Sequence, residues 1–381
     1  MGAKLKIGLD ARVATIDLRG FGRYSRSLIK ALISLPSEIE WFLYTHDPGL
    51  KQIFPESERV HIRVLSGFMG LRSHLLLRSA AQTERLQLMY FFANNFWFWP
   101  ECPTLITIHD TEPFEKPELY CHNLVDRIHS QYRKFRIKQV GTHFITDSEA
   151  SRKDALSIFG LAPDKITTIY SGVDDALFKE QPDPADDQIR ARFIPGDKPY
   201  IFFVGAHDYR KNLATLIRAF DLLKQNRRIP HQLVLAGTGG SDPRFYPPLK
   251  GIARVAENDI IFPGYIDDQF LPALYRGAQL FVFPSLKEGF GLPVLEAMAC
   301  GVPVVSSKAS SLPEVVADAG LLVNAEKESE IADAMMQVLG SPPLARELRE
   351  KGLKQAARFR WEKAGQEVLE LIPQIIQSSK A

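Results

Sequence analysis

Short apolar runs that alternate with helical patterns constrain the fold of this chain more than any other feature. Runs such as Tyr200–Val204 and Leu280–Phe283 are rich in aromatic and β-branched residues, carry no charge and have the length of a buried strand. Strands that alternate with longer helical patterns are typical of βαβ units, which build parallel sheets covered by helices. This series occurs twice along the chain, so we predict two doubly wound α/β domains.

The predicted elements divide between the two halves of the chain. The first half has strands at Lys6–Leu9, Trp41–Tyr44, Val60–Val64, Leu88–Phe92, Leu105–Ile108 and His143–Thr146, and helices at Tyr24–Leu35, Val125–Lys138 and Ala150–Phe159. The second half has strands at Tyr200–Val204, Gln232–Leu235, Ile260–Phe262, Leu280–Phe283 and Val302–Val305, and a helix at Leu213–Gln225. Residues 174–198 are rich in Asp and Pro, which predicts a linker between a domain over 1–173 and a domain over 199–355.

The composition indicates a globular chain. With 381 residues, of which 45% are hydrophobic and 24% charged, it is long enough for two domains of ordinary size. The net charge of +2 does not favour a nucleic-acid partner. Cys102, Cys121 and Cys300 are widely spaced, which predicts reduced thiols in a cytoplasmic protein. No run reaches about 18 apolar residues, so no transmembrane helix is expected.

The segment after the strand Leu280–Phe283 combines two carboxylates, two glycines and a proline. Glu288 lies in the tight loop Glu288-Gly289-Phe290-Gly291, whose glycines allow a ligand to approach the backbone closely. Pro293 fits the first turn of a helix, and Glu296 follows about one turn later. The open amides and the dipole of a helix start form an anion site. Two solvated acids would be the ordinary interpretation, but that leaves the glycines and the proline unexplained.

This segment resembles the Glu-x7-Glu motif of glycosyltransferase family 4. The resemblance continues through Gly301–Val305, Ser311–Val315, Gly320–Val323, Gly264–Asp268, Val204–Asn212 and Phe359–Glu362, and it is weaker in the first half of the chain. It implies a retaining transferase that depends on nucleotide sugars. It also implies the GT-B fold, in which two facing Rossmann-like domains enclose a deep cleft and a final helix, here within residues 356–381, returns to the N-terminal domain.

The same resemblance implies roles for the residues of the Glu288–Glu296 segment. Glu288 would bind hydroxyls of the donor sugar, and Glu296 would bind the ribose of the nucleotide. The diphosphate would be received by the loop and the helix start, at Gly289, Phe290, Gly291 and Leu292.

Basic residues follow the first strand of the second half. Gly205 forms a turn, and Arg210 and Lys211 precede the helix at Leu213. Cations at a helix start oppose the helix dipole, and an anionic ligand would resolve that conflict. We predict that Lys211, and secondarily Arg210, stabilise a departing diphosphate.

His109-Asp110 follows the strand Leu105–Ile108. A polar strand end is the ordinary interpretation. The family resemblance instead implies that His109 hydrogen-bonds a hydroxyl of the donor sugar, while Asp110 orients it or binds the acceptor.

Two glycine turns are further candidates for nucleotide-sugar contacts. The segment Gly20-Phe21-Gly22 is a near miss to a dinucleotide-binding motif, because Ser25 stands where the third glycine belongs, so a dehydrogenase is disfavoured. The resemblance implies a loop under the diphosphate, with Gly20 and Gly22 as backbone contacts. It also implies that the turn at Tyr265 and Ile266 lines the nucleobase pocket, although a plain turn explains the Tyr265 side chain nearly as well.

Residues of the first half could serve an acceptor or a membrane. The aromatic stretch 91–99 contains the acceptor candidates Asn94, Trp97 and Trp99, whose rings belong either to the core or to a sugar or lipid site. The helix Val125–Lys138 is basic, and the segment Gly70–Arg85 places arginines beside Leu75, Leu76 and Leu77. A solvated face is the ordinary interpretation, and attraction to an anionic membrane is the alternative.

The predicted function is transfer of a hexose from a GDP- or UDP-sugar, such as GDP-mannose or UDP-glucose, to a hydroxyl of a glycan or lipid-linked acceptor in polysaccharide biosynthesis. The sequence has no Asp-x-Asp motif, so no metal or other cofactor is expected. A cytoplasmic protein, peripheral on the inner face of the membrane, is expected. A nucleotide-sugar epimerase of the same architecture and an inactive nucleotide-sugar-binding subunit stay open as alternatives.

Overall fold

A computed structural model describes residues 4–16, 20–65, 71–94, 100–121, 123–227 and 229–379. The chain divides into two compact units. The first comprises Met1–Gly172 and Trp361–Ala381, and the second comprises Val173–Arg360. Each unit is built on one parallel sheet. The predicted fold class, two Rossmann-like α/β units, is therefore confirmed.

The first unit contains a seven-stranded sheet in the order β3-β2-β1-β4-β5-β6-β7. Its strands are β1 (Leu5–Asp10), β2 (Ile39–Thr45), β3 (Val60–Val64), β4 (Leu88–Phe91), β5 (Thr104–Ile108), β6 (His143–Thr146) and β7 (Ile166–Thr168). All residues of β4 and β5 are buried, as expected for central strands covered on both faces. The strand β7 was not predicted, because a segment of three residues is too short to show an apolar pattern.

The helices of the first unit connect these strands and cover the sheet. They are α1 (Arg12–Ile16), α2 (Gly20–Ser34), α3 (Leu50–Ile53), α4 (Leu71–Glu84), α5 (Glu112–Glu115), α6 (Pro117–Tyr120), α7 (Leu124–Val140), α8 (Glu149–Phe159) and, at the end of the chain, α16 (Trp361–Ser378). Side chains accept hydrogen bonds from the first turns of α7 and α8, at Asn123 and Ser148.

The helix α16 belongs to the first unit although it follows the second in sequence. Its apolar face buries Trp361, Val368 and Ile372. A Cβ atom on Gly365 would lie 3.1 Å from the Ala31 Cβ, so the glycine lets α16 lie close against α2.

The second unit contains a six-stranded sheet in the order β10-β9-β8-β11-β12-β13. Its strands are β8 (Tyr200–Val204), β9 (Gln232–Ala236), β10 (Ile260–Gly264), β11 (Leu280–Phe283), β12 (Val304–Ser307) and β13 (Leu321–Val323). Its helices are α9 (Asp186–Phe193), α10 (Leu213–Arg227), α11 (Leu271–Gly277), α12 (Leu292–Ala299), α13 (Leu312–Val316), α14 (Glu328–Leu339) and α15 (Pro342–Ala356).

Residues 174–198, predicted as a linker, are instead an integral part of the second unit. They contain α9, and the buried Asp186 accepts two hydrogen bonds from Arg276, at 2.8 and 2.6 Å. Phe178 is 2% exposed and packs edge-on against Tyr275. The Asp and Pro content of this segment predicted a linker, but the few large apolar residues of the segment are buried in the core of the second unit or packed against it.

The leucines of α4 do not form the exposed face that the sequence suggested. Leu77 is buried in the core and Leu76 packs against it, whereas Leu75 is 49% exposed. Arg78 is ion-paired with Glu101. The described part of α4 therefore shows a helix that covers the sheet, with one exposed leucine.

Candidate active site

The contact between Lys211 and Glu288 is the centre of the candidate site in the second unit. Lys211 Nζ lies 2.5 Å from Glu288 Oε1, and each side chain is 12% exposed. The ammonium also lies 5.1 Å from the ring centroid of Phe283. The two residues come together because β8 and β11 are parallel neighbours, so the loops at their carboxyl ends share one edge of the sheet.

Backbone and side-chain hydrogen bonds hold these two loops together. The Leu286 amide donates to the Arg210 carbonyl at 2.7 Å. Asn212 adopts a left-handed conformation with a φ of 57°, and its side-chain amide donates to the carbonyls of Ala325 (2.5 Å) and Pro284 (3.3 Å). Asn212 therefore ties the loops after β8, β11 and β13 into one surface.

Arg210 is held by an acid that the sequence did not single out. Its Nη2 lies 3.0 Å and its Nε 3.2 Å from the Asp208 carboxylate, which is 2% exposed. Asp208 also accepts from the Arg210 backbone amide at 3.0 Å, which caps the short helical turn Tyr209–Lys211. The Asp208 carboxylate therefore fixes the orientation of the Arg210 guanidinium. The Arg210 side chain is 21% exposed, and Lys211 is the next residue in the chain.

The loop Glu288–Gly291 is shaped by serines and by a left-handed glycine. Ser310 Oγ donates to the Glu288 carbonyl at 2.6 Å, and Ser311 Oγ donates to the Phe290 carbonyl at 2.8 Å. Gly291 has a φ of 114°, and a Cβ there would lie 2.8 Å from Leu312 Cδ2. A side chain at this position would meet both strain and a clash.

The helix α12 begins directly after this loop. Phe290 is 4% exposed and packs against Phe359, so only its backbone faces the loop surface. Leu292 and Pro293 open the helix, where the first amides have no intrahelical acceptor. The amides of Gly291 and Leu292 thus stand at the open start of α12, an arrangement that suits phosphate oxygens.

Glu296 is buried in the first turns of α12. It is 2% exposed, and the Tyr275 hydroxyl donates to its Oε2 at 3.0 Å. Tyr275 was not singled out from the sequence. It is fully buried in an aromatic cluster with Phe178 and Phe281, which gives the carboxylate a fixed position.

Three glycines bring the turns after β8, β9 and β10 side by side. Gly205 has a φ of 159° and Gly237 a φ of 120°, and a Cβ on Gly237 would lie only 1.8 Å from the Gly205 carbonyl oxygen. The Gly237 amide donates to the Gly264 carbonyl at 2.8 Å. After this turn Ile266 is 4% exposed and Tyr265 is 47% exposed, so Ile266 offers only its backbone to a ligand.

His109 is the centre of the candidate residues in the first unit. It is 5% exposed, its Nδ1 lies 2.8 Å from Asp147 Oδ2, and its Nε2 lies 2.8 Å from the Phe92 carbonyl oxygen. A carboxylate and a carbonyl both accept, so both ring nitrogens donate. Burial alone would lower the pKa of His109, but Asp147 and the Phe92 carbonyl outweigh it and raise the pKa. The ring is therefore held as an imidazolium.

Two aromatic rings of α2 pack on this imidazolium. Phe21 stacks on it with ring centroids 4.9 Å apart, and Tyr24 meets it edge-on at 4.4 Å. The segment from Gly20 was predicted as a loop, but it forms the first turn of α2. This turn packs the rings of Phe21 and Tyr24 against His109. Gly20 is exposed and Gly22 is buried, so of the two predicted backbone contacts Gly20 is the more accessible.

The acceptor candidates fall partly within the described chain. The Asn94 side-chain amide donates to the Asp110 carbonyl at 3.0 Å, which brings these two residues together. Asp110 Oδ1 accepts from the Glu112 amide at 3.2 Å. Trp97 and Trp99 lie outside the described residues.

The described part of the chain shows neither a metal-binding cluster nor a membrane-spanning helix. No group of three or more His, Cys, Asp or Glu side chains there is arranged to hold a metal ion. Within the same ranges, no helix combines the length and the apolar character needed to cross a bilayer.

Comparison with known proteins decides the family. Residues 18–177 match the model of Glycosyltransferase Family 4, and residues 185–355 match that of Glycosyl transferases group 1. The chain is 30% identical over 375 residues to the O-antigen chain mannosyltransferase B of Escherichia coli, covering 94% of this chain and 97% of the relative. The chain belongs to glycosyltransferase family 4.

Solved structures share the fold of this glycosyltransferase along almost its whole length. The sucrose-phosphate synthase of Thermosynechococcus elongatus aligns with a TM-score of 0.75 and 22% identity, covering 98% of this chain and 100% of that one. HepE of Anabaena in complex with UDP-glucose aligns with a TM-score of 0.71 and 19% identity, covering 97% and 100%. At these identities the likeness shows the GT-B fold class alone.

The family 4 glycosyltransferase thus contains two groups of predicted residues, one in each unit. Lys211 and Glu288 are in contact at the edge of the second sheet, where the Leu286 amide donates to the Arg210 carbonyl. In the first unit Asn94 is hydrogen-bonded to Asp110, the chain neighbour of His109. Sequence reasoning gave no role in the site to the residues that position them, namely Asp147, Asp208, Asn212, Gly237 and Tyr275. Asp147 and Asp208 each follow a strand of a predicted sheet, and that position was the available signal.

Proposed function

We propose that this glycosyltransferase transfers a hexose from a nucleoside diphosphate sugar to a hydroxyl of a glycan or lipid-linked acceptor in polysaccharide biosynthesis, with retention of the anomeric configuration. The observation that carries the proposal is the Lys211–Glu288 contact beside the open start of α12. GDP-mannose is the favoured donor, because the Escherichia coli relative is a mannosyltransferase by name. UDP-glucose is the second candidate, since HepE binds it.

The reaction breaks the bond between the anomeric carbon and the diphosphate oxygen, and the leaving group takes the electron pair. Lys211 and the amides of Gly291 and Leu292 would stabilise the negative charge that develops on the diphosphate. Glu288 would hold sugar hydroxyls, and it would exchange its present contact with Lys211 for them. In this assignment Arg210 contributes less than Lys211, because Asp208 already balances its charge.

Retention follows in this proposal if the acceptor attacks the face that the diphosphate leaves. The new bond joins the acceptor oxygen to the anomeric carbon, and the acceptor proton passes to an oxygen of the departing phosphate. His109 would not act as the base, because both of its nitrogens already donate. It would instead place a buried positive charge near Asn94 and Asp110, where the acceptor is proposed to bind.

The proposal places the enzyme in the cytoplasm, at the inner face of the membrane, and requires no metal. Three free cysteines accord with a reducing compartment. Positive charge from Lys211 and the helix start would replace a metal ion at the diphosphate.

The test is incubation of the purified chain with GDP-mannose, UDP-glucose and related donors, with and without EDTA, followed by NMR of the anomeric product. Release of the expected nucleotide with an acceptor, and its loss by more than about a hundredfold in Lys211→Ala, would support the assignment. The matched control is Lys250→Ala, an exposed lysine of the same unit. Product formed without acceptor would indicate an epimerase, and tight donor binding without turnover would indicate a binding subunit. An inverted product would refute retention.

A further inference from the structure

The helix α7 has two apolar faces, and among the described residues only one of these faces is buried. Ile137 and Val140 are buried against the first unit. The opposite face carries large apolar side chains that are 44–72% exposed, namely Leu124, Val125, Ile128, Tyr132 and Phe135. A helix of a globular protein normally has one apolar stripe, directed to the core. The second stripe therefore needs an explanation.

These five side chains form one continuous stripe. At 3.6 residues per turn they fall within an arc of roughly 100° and extend over roughly 17 Å of helix. They account for five of the fourteen large apolar residues that are most exposed in the described chain. An exposed apolar patch that is contiguous, rather than scattered, marks a surface that binds something.

Positive charge borders this outer stripe on both sides. In the same helical projection Arg127, Lys134 and Lys138 follow one edge and Arg136 follows the other. The single acid, Asp126, lies on the opposite side of the helix. With Arg133, the helix carries five positive charges and one negative, a balance of +4, whereas the whole chain has +2. The charge is thus concentrated where the exposed apolar stripe lies.

We propose that the outer stripe of α7 inserts into the interface of an anionic lipid bilayer, with the flanking Lys and Arg side chains on the lipid phosphates. An apolar stripe with a basic row along one edge and an arginine at the other resembles a helix that lies in the membrane plane. Acidic lipids attract such basic residues, and the stripe supplies the apolar contact that electrostatic attraction alone lacks.

The inner side of α7 connects this surface to the acceptor candidates. Arg133 Nη2 donates to the Asn94 carbonyl at 2.7 Å, and Asn94 donates to the Asp110 carbonyl. Membrane contact through α7 would hold these residues next to the bilayer surface. A lipid-linked acceptor would then reach them without leaving the membrane. This last step rests on the proposed function, whereas the lipid contact does not.

The experiment is co-sedimentation of the full chain with vesicles. One set contains phosphatidylglycerol mixed with phosphatidylcholine, and the other contains phosphatidylcholine alone. We expect binding to the anionic set only, and weaker binding when the salt concentration rises from about 0.05 to about 0.5 M. The combined variant Val125→Ser, Ile128→Ser, Phe135→Ser should lower the partition coefficient about tenfold or more. Arg127→Gln with Lys138→Gln should lower it for anionic vesicles.

Matched controls are Val255→Ser, which changes an apolar residue of the second unit that is 60% exposed, and Lys250→Gln with Lys354→Gln. These should bind vesicles as the unchanged chain does. The inference is overturned if the unchanged chain does not sediment with anionic vesicles, or if the serine variant still does. Self-association that the serine variant abolishes, without vesicle binding, would assign the stripe to a contact between copies.

The test is separable from the glycosyl-transfer assay. Donor turnover with a soluble acceptor should be the same in the α7 variants and in the unchanged chain. Vesicle binding that depends on α7, in a protein that turns over no donor, would leave the lipid contact standing and remove the proposed function. Donor turnover in a protein that does not bind vesicles through α7 would leave the proposed function standing and remove the lipid contact.

Discussion

Replacing Asp147 by Asn should reverse the contribution that His109 makes to the pH dependence of the stability of the first unit. Asp147 is 5% exposed and accepts from His109 Nδ1 at 2.8 Å. Asparagine has nearly the same shape and keeps an oxygen acceptor, but it removes the negative charge. Burial, which by itself lowers the pKa of His109, would then dominate. The pKa of the imidazole in the folded variant should therefore fall below its value in the unfolded chain.

The magnitude follows from the hydrogen bond that changes. A bond to a charged group contributes about 1.5–3 kcal/mol and a neutral one about 0.5–1.5 kcal/mol, so the variant should lose about 1–2 kcal/mol at low pH. In the natural protein the pKa of His109 is raised in the folded state. Its contribution is thus fully present below the unfolded pKa of about 6.5, and it is lost as the pH rises through the folded pKa. In the variant the folded pKa is lowered, so stability is lost as the pH falls.

Tryptophan fluorescence measures this effect in the correct unit. All four tryptophans, Trp41, Trp97, Trp99 and Trp361, belong to the first unit by sequence, so urea unfolding followed by their emission reports on that unit. The quantity to compare is the difference in unfolding free energy between the two proteins at about pH 5.5 and about pH 8.5. Other histidines contribute equally to both proteins and cancel. A difference that is constant or grows with pH would refute the imidazolium assignment.

Two further experiments test the second unit. The first is a double-mutant cycle of Lys211→Met and Glu288→Gln, in which far-UV circular dichroism follows unfolding by urea. We expect a coupling energy of about 1–3 kcal/mol, because each single change leaves a charged side chain that is 12% exposed without its partner. Additive effects of the two changes on the unfolding free energy would contradict this expectation. Gly237→Ala should lower the stability by about 3 kcal/mol or more, since its Cβ would lie 1.8 Å from the Gly205 carbonyl oxygen. Gly239→Ala, whose nearest neighbouring atom is 3.7 Å away, is the control, and equal effects would refute the argument.

The periodicity of apolar residues predicted most of the fold. Val60–Val64, His143–Thr146 and Leu280–Phe283 have the predicted boundaries. Leu280–Phe283 is uncharged and buried along its whole length, whereas Val60–Val64 alternates apolar and polar residues, and both patterns are typical of strands. Strands of three residues, such as Ile166–Thr168, were missed because such a run is too short to carry a pattern. Residues 174–198 were misassigned because composition does not report which of its apolar residues find a core.

The predicted site residues were those whose chemistry a motif displays, such as Glu288 and Lys211. Their partners were missed because a hydrogen bond between distant residues leaves no local pattern. Tyr275, for example, belongs to an apolar helix and is buried, so only its contact with Glu296 reveals a polar role. Glu296 shows that a motif does not predict burial. Glutamate is usually an exposed residue, but the Glu296 side chain in α12 is buried.

The order of the strands explains which pairs could have been found. β5 and β6 follow one another and pair Ile108 with Thr146, so the next residues, His109 and Asp147, must meet at the same edge. That pair could have been predicted from two consecutive strands. Lys211 and Glu288 are 77 positions apart and follow β8 and β11, which become neighbours only because the sheet order reverses between them. Ligand sites of doubly wound sheets form at such reversals, so the pair that carries the proposed chemistry is the one that local pattern cannot reveal.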